Sequence, residues 1–193
     1  MKRKIILSIA LAICFVICAA MLCVSAADSK TITSKNGLYK YTVDENNKAT
    51  IVAYSGTDET LLTISRIDGK YPVVAIGDSV FAGNTSIEEV TIYSSVTKIG
   101  AGAFMGCTSL EKITFHGNCN ITEIGDDAFY LCSSLKEFKI SGSVKTIGSG
   151  AFRDCSSVSL DFSQATSLES VGSYAFAGCA TVGGNKFTVE IPA

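Results

Sequence analysis

Eight cysteines and one histidine are the residues of this 193-residue chain best suited to nucleophilic, redox or metal chemistry. Cys14, Cys18 and Cys23 sit in an apolar N-terminal run, which leaves Cys107, Cys119, Cys132, Cys155 and Cys179 for the rest. A zinc centre wants a tetrahedral set of Cys, His or carboxylate ligands, usually with CxxC spacing. No such pair occurs, and His116 is the only imidazole. A cysteine nucleophile needs a base within reach. Cys119 is near His116 in sequence, yet both fall after a predicted strand with no orienting carboxylate in view. We therefore expect no catalytic residue, no metal and no cofactor: the chain does not read as an enzyme.

The spacing of the other cysteines points elsewhere. Cys107, Cys132, Cys155 and Cys179 each follow an aliphatic residue by eight positions, at Ile99, Ile124, Ile147 and Val171, and Asn84 stands in the same place after Ile76. These five aliphatic residues are separated by 23, 25, 23 and 24 residues. A period of about 20–29 residues is that of a leucine-rich-repeat solenoid, in which each coil buries its apolar face only against its neighbours. Glycine follows in every copy (Gly77, Gly100, Gly125, Gly148, Gly172), which marks either a positive φ or a backbone too close for a Cβ. Then comes phenylalanine (Phe81, Phe104, Phe129, Phe152, Phe176), expected to stack as a core spine. Asp78, Asp126 and Ser149, three residues earlier, are placed to cap short helical turns.

Strands follow each phenylalanine. Residues 87–92, 110–115 and 135–140 end in apolar-x-apolar alternation, and 158–162 and 182–189 read as shorter and longer versions. Repeats of one sense pair their strands in parallel. Stacked coils hold equivalent cysteines about 4.8 Å apart with parallel Cβ vectors, whereas a disulfide needs facing Cβ atoms about 3.5–4.5 Å apart. Buried free thiols are thus favoured over bridges. Upstream, 38–43 and 49–54 flank a polar turn and predict a β-hairpin, and 61–64 predicts one further solenoid strand. The expected fold is an α/β solenoid: a right-handed leucine-rich-repeat coil with a parallel sheet on one face, short helical turns opposite, and an N-terminal β-hairpin cap. Residues 28–75 form the cap and first strand, and 76–193 about five repeats, the last incomplete, with a C-terminal edge expected to be exposed, covered by a partner, or left by the loss of a longer ancestral array.

The first residues carry an address. Met1-Lys2-Arg3-Lys4 precedes an apolar run to Val24, and Val24-Ser25-Ala26 offers small residues for cleavage after Ala26 or Ala27. Residues 1–27 read as a signal peptide, the alternative being an uncleaved membrane anchor. Without them, 13 basic residues face 18 acidic ones, a net charge of −5. That balance disfavours nucleic acid, which needs a basic stripe.

The phrases IGAGAFMGCTSLEKITF (99–115) and IGDDAFYLCSSLKEFKI (124–140) resemble the repeat of bacterial BspA-like leucine-rich repeat proteins nearly column for column. The proline that often follows the strand in that family is missing after Ile92 and Ile140. The resemblance implies a secreted or cell-surface protein, of a family in which some members adhere to host or bacterial surface proteins, and it transfers no binding residue. Alternation instead nominates an outward strand face: Glu89, Thr91, Tyr93, Lys112, Thr114, His116, Glu137, Lys139 and Asp161. Parallel register predicts the rows Glu89–Lys112–Glu137–Ser159 and Thr91–Thr114–Lys139–Asp161. The function so expected is a protein-interaction module, adhesin-like, that takes a protein partner on this face. The alternative is an envelope scaffold that self-associates through its C-terminal end. Carbohydrate is disfavoured by the lack of tryptophan.

Overall fold

A computed structural model of the protein describes residues 30–183. The signal peptide, the longer strand expected beyond Gly183 and the C-terminal end lie outside the described residues. Fifteen strands occur among these described residues. The N-terminal ones are β1 (Ile32–Thr33), β2 (Tyr39–Val43), β3 (Ala49–Tyr54), β4 (Leu61–Ile64), β5 (Arg66–Ile67) and β6 (Tyr71–Ile76). The coils then contribute longer strands alternating with two-residue ones. The former are β7 (Glu89–Tyr93), β9 (Lys112–His116), β11 (Glu137–Lys139), β13 (Ser159–Asp161) and β15 (Thr181–Gly183). The latter are β8 (Lys98–Ile99), β10 (Glu123–Ile124), β12 (Thr146–Ile147) and β14 (Ser170–Val171).

These strands make a β-solenoid of two sheets. One runs in the order β4-β7-β9-β11-β13-β15, all parallel. The other runs β1-β2-β3-β6-β8-β10-β12-β14, with β5 on β6. Its repeating part is parallel and pairs the first aliphatic column in register: Ile51 with Ile76, then Ile99, Ile124, Ile147 and Val171. β2 and β3 are antiparallel around the turn at 44–48, and β3 lies parallel on β6. The expected strand at 61–64 is β4, paired with β7 from Leu61↔Glu89 to Ile64↔Ile92. β7, β9 and β11 begin two residues later than alternation predicts. Leu110 and Leu135 are buried and held in tight turns, their amides donating to Cys107 O and Cys132 O at 3.1 and 3.2 Å.

The helical turns expected opposite the strand face do not form; no helix occurs among the described residues. The reason lies in where the amides point. Phe81, Phe104, Phe129 and Phe152 donate to Ala103, Ala128, Ala151 and Ala175 of the next coil, each at 2.8 Å, and not to a carbonyl four residues back. Two residues per coil also have positive φ. Ser79, Gly102, Asp127, Gly150 and Tyr174 occupy the first such column, at 51–62°. Gly83, Gly106, Leu131, Asp154 and Gly178 occupy the second, at 56–75°. A left-handed residue breaks a right-handed helix. The supposed caps act between coils instead: Asp78 Oδ1 accepts from Ala101 N at 2.9 Å, and Asp126 Oδ1 from Ser149 N at 2.7 Å.

Close approach explains the invariant glycine. None of Gly77, Gly100, Gly125, Gly148 and Gly172 has positive φ. A Cβ at Gly125 would sit 2.6 Å from Ala101 N, and at Gly172 2.3 Å from Ser149 N, both backbone atoms of the previous coil. Beside this column the phenylalanine rings stack, with centroids 5.0, 5.3, 5.1 and 6.3 Å apart from Phe81 to Phe176. The repeat cysteines are free thiols. Cys107, Cys132, Cys155 and Cys179 each donate to the carbonyl of the preceding coil's phenylalanine, at 2.9–3.1 Å. Asn84 fills the slot in the first coil, donating to Gly56 O at 3.1 Å.

Two measurements test this packing. Gly125→Ala should lower stability by about 1–3 kcal/mol, because the obstructing atoms are backbone. Leu131→Gly should raise the Tm slightly, since leucine holds φ at 61° where Gly106 serves in the coil before. Thermal melts of both decide it, and equal melts would refute the close-approach account. Burial also pushes the thiols of Cys107 and Cys155 up to about 12 and Cys179 up to about 11, and raises that of Cys132. The folded state therefore keeps protons that the unfolded chain gives up above about pH 8.5. Stability is complete below that value and should fall as pH rises towards 12. Tyr39 and Tyr41, raised to about 12 chiefly by burial, add to the fall above about pH 10. Replacing the three fully buried cysteines by alanine should flatten the slope between about pH 8.5 and 10; an unchanged slope there would contradict it.

Candidate functional site

The outward face of the six-stranded sheet carries the residues nominated by alternation. Glu89, Lys112, Thr114, His116, Glu137 and Lys139 are exposed, and Thr91, Tyr93 and Asp161 are half-buried. The first predicted row is in register throughout: Glu89 pairs with Lys112, Lys112 with Glu137, and Glu137 with Ser159. The second row is broken. Thr91 pairs with Thr114 and Lys139 with Asp161, but no register pair joins Thr114 to Lys139. At the end of β7 and β9 the Tyr93 and His116 rings lie 4.3 Å apart between centroids, tilted by 34°. Asp161 accepts from Ser163 N at 2.8 Å, and that amide holds its carboxyl below the ordinary value.

The break in the second row is local. β7 and β9 share five register pairs and β11 and β13 share three, whereas β9 and β11 share only Lys112↔Glu137. The sheet splits there. The cause is legible in coil length, because this is the 25-residue coil, in which four residues (Gly117-Asn118-Cys119-Asn120) connect His116 to Ile121. In the preceding coil two residues, Ser94 and Ser95, connect Tyr93 to Val96. The enlarged loop is tied on both sides: Asn120 Nδ2 donates to Ser94 O at 2.8 Å, and Ser143 Oγ to Cys119 O and Ile121 O at 3.0 and 2.8 Å. β9 thus keeps its register with β7 and leaves β11.

A cleft of about 560 Å³ opens at the split. Ile113 and Phe115 line it, and both are only half-buried. Their equivalents Val90 and Ile92 on β7, and Phe138 and Ile140 in the next coil, are at most 3% exposed. The Phe115 ring meets Phe138 edge-on, with centroids 5.6 Å apart at 85°. Six charges surround this apolar floor, and all are paired: Lys112 with Glu89 at 3.5 Å, Lys139 with Glu137 at 3.2 Å, and Lys136 with Glu111. Their side chains are 48–69% exposed, so each pair contributes little to stability.

Alternation assigned Ile113 and Phe115 to the core and left out Glu111 and Lys136. The signal that could have found them is the long coil itself. No group of three or more His, Cys, Asp or Glu side chains able to hold a metal occurs among the described residues. Nor do these residues include a helix long and apolar enough to cross a membrane.

Similar proteins share this architecture. A leucine-rich repeat protein of T. pallidum is 31% identical, over 76% of this chain and 67% of its own, with a TM-score of 0.66. A leucine-rich cell surface protein of Faecalibacterium prausnitzii is 26% identical over 82% and 55%, with a TM-score of 0.53. The pneumococcal vaccine antigen PcpA is 25% identical over 78% and 42%, with a TM-score of 0.61. The chain thus spans about two thirds of the first of these and about half of the second. A comparison with curated proteins found no match. Residues 59–183 match the model of the BspA-type leucine-rich repeat region in six copies, so the coil built on Leu61–Ile64 counts as a repeat beside the five that follow. With the repeat, the sheets and the match in agreement, the chain belongs to the BspA-type leucine-rich repeat family.

Proposed function

We propose that this protein is an exported, adhesin-like interaction module that takes a protein partner on the outward face of its six-stranded sheet. The observation that carries this reading is the cleft between β9 and β11. There, an otherwise uniform face exposes apolar side chains inside a ring of charges. Binding hot spots have this plan, an apolar centre shielded by a polar rim. Solenoids lend themselves to it because coil stability comes from nearest neighbours and leaves the exposed face to vary. The nominated residues Glu89, Thr91, Tyr93, Lys112, Thr114, His116, Glu137, Lys139 and Asp161 frame the contact area in this reading.

Export rests on the basic, then apolar, N-terminal segment with its small-residue exit. The likeness to a leucine-rich cell surface protein and to a pneumococcal antigen agrees with a surface location. Residues 28–75 serve as the N-terminal cap. In support, the β2–β3 hairpin abuts β6, and the Tyr54 ring lies 5.0 Å from Phe81, extending the aromatic stack to its first member. No catalytic step is assigned.

Charge reversal tests the face. Lys112→Glu with Lys139→Glu should lower capture of a partner from a native extract about tenfold, the effect of roughly 1.4 kcal/mol. Lys98→Glu in β8 with Lys145→Glu just before β12, away from this face, should leave capture unchanged. Equal capture by wild type and both variants would overturn the reading.

A further inference from the structure

The split in the sheet differs from an ordinary apolar patch in two respects. First, it opens backbone as well as side chains. In a parallel sheet a strand's peptide groups serve both neighbours. β9 runs from Lys112 to His116 against β7, but its register with β11 stops at Lys112. Past Ile113, whose amide belongs to the Lys112↔Glu137 pair, the edge of β9 that faces β11 therefore has no strand partner among the described residues. Second, the rim is neutral. Glu89, Glu111 and Glu137 are each taken by Lys112, Lys136 and Lys139, so a charged group entering the cleft finds its counter-charges already engaged.

We infer that the cleft is a docking slot for an extended segment of a partner protein, which inserts one uncharged aromatic side chain between Ile113 and Phe115 and hydrogen-bonds its main chain to the open edge of β9. The inference rests on the strand-face reading above and names the chemistry of what binds there. Aromatic character follows from Phe115, whose ring already meets Phe138 edge-on at 5.6 Å and is half-exposed towards the cleft. Such rings favour further edge-on or offset aromatic contacts. A polypeptide is favoured over a small hydrophobic molecule because only a polypeptide uses the open peptide groups, as in strand addition to a sheet edge. The size agrees: about 560 Å³ falls within the range of ligand pockets, about 300–1,000 Å³, with room for the anchor and its flanking peptide groups.

The test is a titration of the full chain, followed by the backbone amide signals of Thr114 and Phe115 in nuclear magnetic resonance spectra. The probe is the blocked tripeptide acetyl-Thr-Phe-Thr-amide, compared with its Lys-for-Phe counterpart and with a version methylated at the phenylalanine nitrogen. The first should give saturable shifts centred on residues 112–116 and 137–139. The other two should bind at least about fivefold more weakly, a loss of about 1 kcal/mol. Ile113→Gln, which makes the floor polar, and Ile113→Phe, which fills it, should both abolish saturation. Ile113 is half-exposed, and an unchanged Tm would certify the fold of each variant. Equal binding of the lysine peptide, shifts spread over the whole chain, or no saturation would overturn the inference. If the peptide fails while Lys112→Glu with Lys139→Glu still lowers partner capture about tenfold, the slot is wrong and the strand-face reading stands. If the peptide saturates the slot while charge reversal leaves capture unchanged, the strand-face reading fails and the slot stands.

Discussion

The distance between successive backbones at the glycine column governs this molecule. At Gly100, Gly125, Gly148 and Gly172 the previous coil comes so close that a Cβ would meet its backbone at 2.3–2.6 Å. With the coils at that spacing, the amides of Gly100, Gly125, Gly148 and Gly172 reach Ile76, Ile99, Ile124 and Ile147 at 2.8–2.9 Å. The rings of the spine then fall into stacking contact, and each thiol reaches the phenylalanine carbonyl one coil back. None of these contacts is long-range in the usual sense; each joins a coil to its neighbour. Stability is accordingly a sum of interfaces, and a defect in one coil stays local.

That locality is what permits the opening between β9 and β11. Two extra residues after His116 would misalign a globular core, yet here the adjoining columns continue unbroken. Ile99, Ile124 and Ile147 stay paired, and Phe104, Phe129 and Phe152 stay stacked. Only the strand face yields. The lost ladder contacts are partly replaced by Asn120 and Ser143, whose side chains tie the loop to both neighbouring coils. The exposed apolar floor has no such compensation among the described residues. A site held open by a surrounding scaffold is a common form of binding site.

Much of this was legible before any coordinates. The recurrence of Ile-Gly, Phe and Cys announced the coils, and period-two alternation announced the strand face in its first row. The free thiols followed from parallel Cβ vectors. Three features were not legible. Asp78 and Asp126 looked like helix caps because capping and coil-to-coil clamping ask for the same side chain, an oxygen acceptor beside a free amide. The positive-φ columns are obscured because Ser79, Asp127, Leu131, Asp154 and Tyr174 occupy places where glycine alone would have signalled the conformation. Finally, Ile113 and Phe115 fit the core pattern perfectly well; what exposes them is the loop after β9, and alternation within a strand carries no information about a later insertion.

The account stands on the claim that the ladder between β9 and β11 is open past Lys112 while its neighbours are closed. Native-state hydrogen exchange reads this residue by residue. The amide of Phe115, which faces β11 past the last register pair, should exchange on the order of 100-fold faster than those of Val90 and Ile92, which face β9, as befits backbone lacking a strand partner. Uniform protection across β7, β9 and β11 would mean that the sheet is continuous in solution, and the cleft would lose its physical basis.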